Sequence, residues 1–214
     1  MAGGRQTFIA YPMSKAHERQ GRALINWAAR FFVDSSAGFA PEDWNRSGAL
    51  GQFLPRYESW RFDWLDVPQL IRANLGVWEF PMIDRDPLPR WSFGRVTLLG
   101  NAAHPMVPLG SNGASQAILD AVALAELLAG VGPGDNVAEA LAHYDADRRS
   151  KTAAIVAINR RGGPEQEVRM VEERAPDGFT DLEAVMPRAE LERIAAEYKR
   201  LASFDIESVN NSLA

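Results

Sequence analysis

The 214-residue chain draws 46% of its residues from the apolar set and 9% from the aromatics, enough to bury a sizeable core in one large or two small domains. Its 23 Lys and Arg against 28 Asp and Glu leave a net charge of −5 with both signs interspersed, which excludes the basic face that a nucleic-acid partner needs. The absence of cysteine excludes disulfides, thiolate metal sites and cysteine nucleophiles, and makes a reducing cytoplasm the expected compartment.

The opening residues, Met1 to Arg5, lack the basic-then-apolar order of a signal peptide, so export is not expected. Residues Gln6 to Pro12 and Arg22 to Ala29 are apolar runs on either side of a polar turn, Lys15 to Gly21, and predict a β-hairpin or two neighbouring strands. From Pro41 to Trp60 the apolar residues recur at mixed helical spacings broken by Pro55, which predicts short helices with a loop. Val67-Pro68 opens a helix through Asn74 stopped by Gly76, and Val77 to Ile83 returns to strand character. Prolines and charges from Asp84 to Trp91 mark a crossing loop.

Arg95 to Gly100 (RVTLLG) reads as a strand of the kind buried on both faces of a parallel sheet. A loop from Asn101 to Gly113 then leads into a helix, about Ala114 to Ala129, whose Ala-rich surface suits packing against a sheet. A narrow polar stripe lies near Asp120 and Glu126. The stretch Ala114 to Val131 falls short of the roughly 18 uncharged apolar residues of a membrane span, so no membrane partner is expected. Gly130, Gly132 and Gly134 follow a helix and read as its stop and turn. A further helix, capped by Asp135 or Asn136, runs to about Arg161 and ends at Gly162-Gly163-Pro164. Thr180 to Glu183 match a capping box ahead of another helix.

The chemistry concentrates between Gly94 and Ala129. A strand, a Gly- and Pro-bearing loop and a helix whose first turn holds small residues would aim free backbone N–H groups and the positive end of a helix dipole beyond the strand's carboxyl end. An anion, or a ring that becomes anionic, would be stabilised there. His104 reads as a structural hydrogen-bonding residue rather than a metal ligand, since no paired carboxylates lie at ligand spacing. Asp120 with Arg148 or Arg149 reads as a pair locking two helices together. The basic residues between Arg148 and Arg161 read as a solvated helix face.

The segment LLGNAAHPMVPLGSNGASQAILDA closely resembles the second flavin-binding motif of the class A FAD-dependent aromatic hydroxylases, the relatives of para-hydroxybenzoate and salicylate hydroxylases. Its GSNGASQAILDA portion is most similar to the branch containing the phenazine-modifying hydroxylase, and FIAYPMS followed by NW looks like that branch's substrate-domain strands. The resemblance extends over about Phe8 to Thr152. It implies FAD as cofactor, NAD(P)H as reductant, O2 as oxidant and a small aromatic ring as substrate.

It also implies residue roles. Gly100, Asn101, Pro108, Gly110, Asn112, Gly113 and Ala114 would bind the cofactor, with backbone amides around Asn112 to Ala114 holding the edge of the flavin that gains negative charge on reduction. Gly113 would let the backbone approach the ring, and Pro108 would lie against the isoalloxazine face near the reacting oxygen, as the catalytic position. Tyr11, Trp27 and Trp78 would stack on the substrate ring. The family places Asp where this chain has Asn101, a loss of one acceptor oxygen and one charge at the ribityl chain, worth roughly 1–2 kcal/mol.

The resemblance further implies an α+β fold comprising the C-terminal part of such a hydroxylase. Residues 1–93 would be a partial substrate domain, 94–162 the last strand and helices of the flavin domain, and 163–214 a helical tail. No strand here is followed by the Gly-x-Gly-x-x-Gly that seats the FAD pyrophosphate. The expected partner is therefore that missing half or a second copy of the chain, and the strand and apolar helix should leave an edge and a greasy patch exposed. The alternatives are a non-catalytic homologue that binds an aromatic ligand or partner, and one chain of a split enzyme.

Overall fold

The computed structural model describes residues 2–3, 6–31, 45–74, 76–80, 82–110 and 112–202. The chain divides into two compact units, one formed by residues 1–34 and 83–214 and the other by 35–82.

The expected hairpin forms. β1 (Ala2–Gly3) pairs antiparallel with β2 (Gln6–Pro12), which pairs along its full length with β3 (Ile25–Phe31). A short helix, α1 (Lys15–Glu18), capped by the Ser14 side chain, fills the connection. Phe8 is fully buried and stacks on Trp27 with ring centroids 5.8 Å apart.

The second unit contains β4 (Arg46–Ser47), α2 (Leu50–Phe53) running into a 3₁₀ turn (Leu54–Tyr57), β5 (Arg61–Phe62), β6 (Leu65–Asp66), α3 (Val67–Arg72) and β7 (Trp78–Glu79). These short helices are those the mixed spacing predicts, with Pro55 in the first turn of the 3₁₀ segment rather than in a loop. α3 starts at the predicted place because Asp66 accepts from the Gln69 N–H and Pro68 occupies the first turn, where its missing N–H costs nothing. Tyr57, Val67 and Ile71 form its buried interior. The strand expected over Val77 to Ile83 is reduced to β7, paired with β4.

In the first unit, β8 (Ser92–Phe93) and β9 (Val96–Thr97) form a tight hairpin turning through Gly94, whose φ is +62°. This corrects the expectation of a short strand over Arg95 to Gly100 of the kind buried in a parallel sheet. Among the described residues β9 pairs only with β8, antiparallel, and Val96 is 66% exposed. A strand buried in a parallel sheet has neighbours on both edges, and among the described residues β9 has one.

Two long helices carry the rest of this unit, α4 (Asn112–Ala129) and α5 (Val137–Arg160). They are followed by α6 (Gln166–Arg174), α7 (Leu182–Val185) and α8 (Arg188–Leu201). Asn136 takes the N-cap position of α5 without a side-chain capping bond, and the helix ends with Arg161 at its C-cap, after which Gly162 takes φ +112°, the stop the sequence predicts. α7 begins one residue later than the capping box suggests, with Asp181 rather than Thr180 accepting from the Glu183 N–H.

α4 is turned inside out relative to its composition. Asn112, Gln116 and Asp120, spaced four apart and so on one face, are all buried. Ile118 and Val122 stand exposed on the other side, with Ala114, Ala121 and Ala125. Toward its C-terminus Ala123, Leu124 and Leu127 pack on the core formed by Trp91, Ala103 and Tyr144. Glu126 is exposed and does not share the Asp120 stripe.

Candidate functional site

The buried polar stripe of α4 anchors the loop that precedes it. Asp120 is fully buried and uses both carboxylate oxygens. Oδ1 accepts from Arg148 Nε at 2.8 Å, and Oδ2 accepts from the Gly100 N–H at 3.1 Å and from His104 Nε2 at 2.6 Å. Arg148 also donates to Gln116 Oε1 at 2.6 Å. The expected pair between the two helices is thus Asp120 with Arg148, and His104 has the structural role the sequence gives it. Gly100 accepts this arrangement because it adopts φ +60°, and a Cβ there would press on Ala117 at 3.2 Å.

The remaining basic residues of α5 are bound to carboxylates. Arg149 pairs with Asp145, Lys151 with Asp147, and Arg160 with Asp84 and Asp86, which fixes the proline-bearing crossing loop to the helix. The expectation of a solvated face fails for Arg148, which is 5% exposed. Asp145 also accepts from the Trp91 and Ser92 N–H groups at 2.7 and 3.0 Å, pinning the start of β8 to α5.

Burial alone would raise the Asp120 carboxyl, but the hydrogen bonds from His104, Arg148 and Gly100 outweigh it and hold the group below its ordinary value. Asp145 is likewise depressed: its burial is outweighed by the bonds from Trp91, Arg149 and Ser92. A depressed carboxyl contributes stability that is present above the unfolded-state value, near pH 4, and lost as pH falls through the folded value. The urea midpoint is therefore expected to drop steeply below about pH 4. An Asp120→Asn variant should show a flatter acid limb, and an unchanged limb would contradict this assignment.

Around this anchor the loop residues separate into two groups. Asn101, Pro108 and Ala114 are exposed and Gly113 is half-buried. The space beside Gly113 faces the Asn101 side chain, since a Cβ at 113 would meet Asn101 Oδ1 and Met106 Cγ, each at 3.8 Å. Gly110 and Asn112 instead face α8. The Tyr198 hydroxyl sits over Gly110, which holds φ +63°, and Asn112, fully buried, donates to that hydroxyl.

Tyr11 and Trp27 do not converge. In the β2–β3 register Tyr11 lies opposite Asn26, which donates to its hydroxyl at 2.8 Å, while Trp27 lies opposite Ala10. Directly opposed residues share a face and successive residues alternate, so Tyr11 and Trp27 are on opposite faces of the hairpin. The two cannot wall one pocket together. Trp78 belongs to the other unit and is 65% exposed.

Residues 82–159 match the model of a family described as a FAD binding domain. The chain is 52% identical over 71% of its length to phenazine 1,6-dicarboxylic acid hydroxylase of Lysobacter antibioticus, covering 37% of that protein. It is 35% identical over 73% of its length to 3-amino-4-hydroxybenzoate 2-monooxygenase of Streptomyces platensis, covering 36% of it. It is also 42% identical over 44% of its length to 6-hydroxynicotinate 3-monooxygenase of Pseudomonas fluorescens, covering 24% of it. The chain belongs to the family of class A FAD-dependent aromatic hydroxylases. It spans about a third of the length of the first two relatives.

FAD is the cofactor of this hydroxylase family, and the exposed part of the loop fits it. Glycine in a helix costs up to about 1 kcal/mol relative to alanine. Nothing within the described residues demands it at 113, where a Cβ would meet only ordinary contacts. The open space beside a helix's unsatisfied first-turn amides is what a flat ring edge requires. Asn101 Oδ1 lies beside that space as an acceptor for a hydroxylated chain.

Sequence reasoning missed Tyr198, Asn159 and Gln116. Gln116 was legible as the middle of the Asn112, Gln116, Asp120 spacing. Tyr198 carried no signal, because a tyrosine in a charged amphipathic helix does not announce a partner some ninety residues away.

Proposed function

We propose that the chain supplies the isoalloxazine-facing loop and helix of a FAD-dependent monooxygenase that hydroxylates an aromatic substrate with NAD(P)H and O2. The observation that carries this reading is the half-buried glycine at 113, in the first turn of an 18-residue helix beside Asn101, where a Cβ would meet no close contact. When bound, FAD supplies the electrons that activate O2 for insertion into the ring. The chain's own part is to hold the flavin's charged edge with the amides at Gly113 and Ala114 and its side chain with Asn101, while Pro108 shapes a dry face beside it.

Residues 94–162 are read as flavin-domain structure and 1–93 as part of the substrate domain. The outward apolar face of α4 supports a place for further flavin-domain sheet, and the segment that seats the FAD pyrophosphate is sought outside these 214 residues. The relatives named above act on aromatic acids, and an aromatic carboxylate is the proposed substrate class.

The test uses the protein saturated with FAD and titrated with phenazine-1,6-dicarboxylate and 3-amino-4-hydroxybenzoate. A saturable perturbation of the visible flavin band by either is the expected result. A band unmoved by both would contradict an aromatic substrate bound beside the flavin.

A further inference from the structure

The flavin-facing loop is gripped at both ends by α8, which lies beyond the residues that match the FAD binding domain model. At one end the Tyr198 hydroxyl accepts from Asn112 Nδ2 and lies 3.5 Å from the Leu109 carbonyl and 3.4 Å from Asn159 Oδ1. Its single proton can serve either acceptor. At the other end the Ala202 carbonyl, at the C-cap of α8, accepts from Gln116 Nε2 at 3.0 Å. Gln116 passes this contact to Arg148, Arg148 to Asp120, and Asp120 to Gly100 and His104. The two branches therefore end on Gly100 and on Leu109 to Asn112, bracketing the whole loop.

Two features make the Tyr198 branch sensitive. Gly110 can take no side chain beneath the hydroxyl, so ring and backbone are in direct apposition. Asn112 Oδ1 and Asn159 Nδ2 are buried and have no hydrogen-bond partner among the described residues. Removing the hydroxyl would strand more of the same amides, and buried unsatisfied groups are relieved by movement of the least supported segment. That segment is the loop carrying Pro108 and Gly110, not the two long helices.

We propose that Tyr198 is a positioning residue, acting through Gly110 and Asn112 to fix Pro108, Gly110 and Gly113 against the flavin. The proposal rests on the flavin reading above. It assigns to α8 a part in setting how closely the loop meets the ring, although Tyr198 itself touches no substrate or cofactor.

The experiment compares the full chain with Tyr198→Phe, which keeps the ring, and with Arg188→Ala, which removes an exposed pair with Glu192 on the same helix. Amide hydrogen exchange in the free protein and FAD titration followed in the visible band are read together. Tyr198→Phe should speed exchange at Leu109, Gly110 and Gly113 about tenfold, with α5 protection unchanged. It should also weaken FAD binding about fivefold and displace the bound-flavin band, and Arg188→Ala should do none of this. Unchanged exchange overturns the proposal, as does faster exchange with unchanged affinity and spectrum, which would make Tyr198 a structural prop alone. A wild-type chain that binds no FAD overturns the flavin reading instead, and that outcome is seen before any variant is compared.

Discussion

Replacing Asp120 with alanine is expected to cost about 3–5 kcal/mol of folding stability, the range found when one partner of a buried ion pair is removed. The size follows from what is left behind. Arg148 would remain 5% exposed with its charge uncompensated, and the Gly100 N–H and His104 Nε2 would each lose their acceptor. Domains of this size are stable by about 5–15 kcal/mol, so the loss is a large share of the whole. Urea denaturation at pH 7 measures it. Asp120→Asn, which keeps an acceptor oxygen but not the charge, should lose less, and a loss below about 1 kcal/mol for alanine would show that the network does not hold the loop.

The second large effect is one of opposite signs. Gly113→Ala should stabilise the free protein by up to about 1 kcal/mol, because alanine is the better helix former and its Cβ would meet Asn101 and Met106 only at 3.8 Å. The same methyl would project into the space where the flavin edge meets the first-turn amides. FAD affinity should therefore fall at least about tenfold, or 1.4 kcal/mol. Gly113→Asp would add a negative charge beside the anionic edge of the reduced flavin and should abolish binding. Thermal denaturation and FAD titration on the same preparations separate the two terms. A variant that loses both stability and affinity would mean that the glycine serves the fold rather than the cofactor.

Local patterns are legible wherever short-range chemistry decides the outcome. The β2–β3 hairpin, the Pro68 start of α3 and the Gly162 stop after α5 all follow from residues close in sequence, and the Asp120–Arg148 pair, between neighbouring helices, follows from opposite buried charges. Non-local partners were less legible. The apolar run after Arg95 reads as a buried parallel strand, yet only Val96 and Thr97 have strand pairing, antiparallel with β8 across the Gly94 turn. α4 starts at Asn112 rather than Ala114 and takes Gly113, a poor helix former, into its first turn. The resemblance groups Tyr11 and Trp27, and only the register shows that they face opposite ways. The role of Tyr198 depends on a return of the chain that no local pattern encodes.

The most direct test of the account is a titration of the purified chain with FAD, followed by flavin fluorescence and the visible absorption band. Saturable binding with a dissociation constant below about 100 μM, tighter than roughly −5.5 kcal/mol, is the result predicted. Gly113→Asp should remove it. No binding up to that concentration, or binding that survives the aspartate, would contradict the placement of the flavin edge between Asn101 and the start of α4.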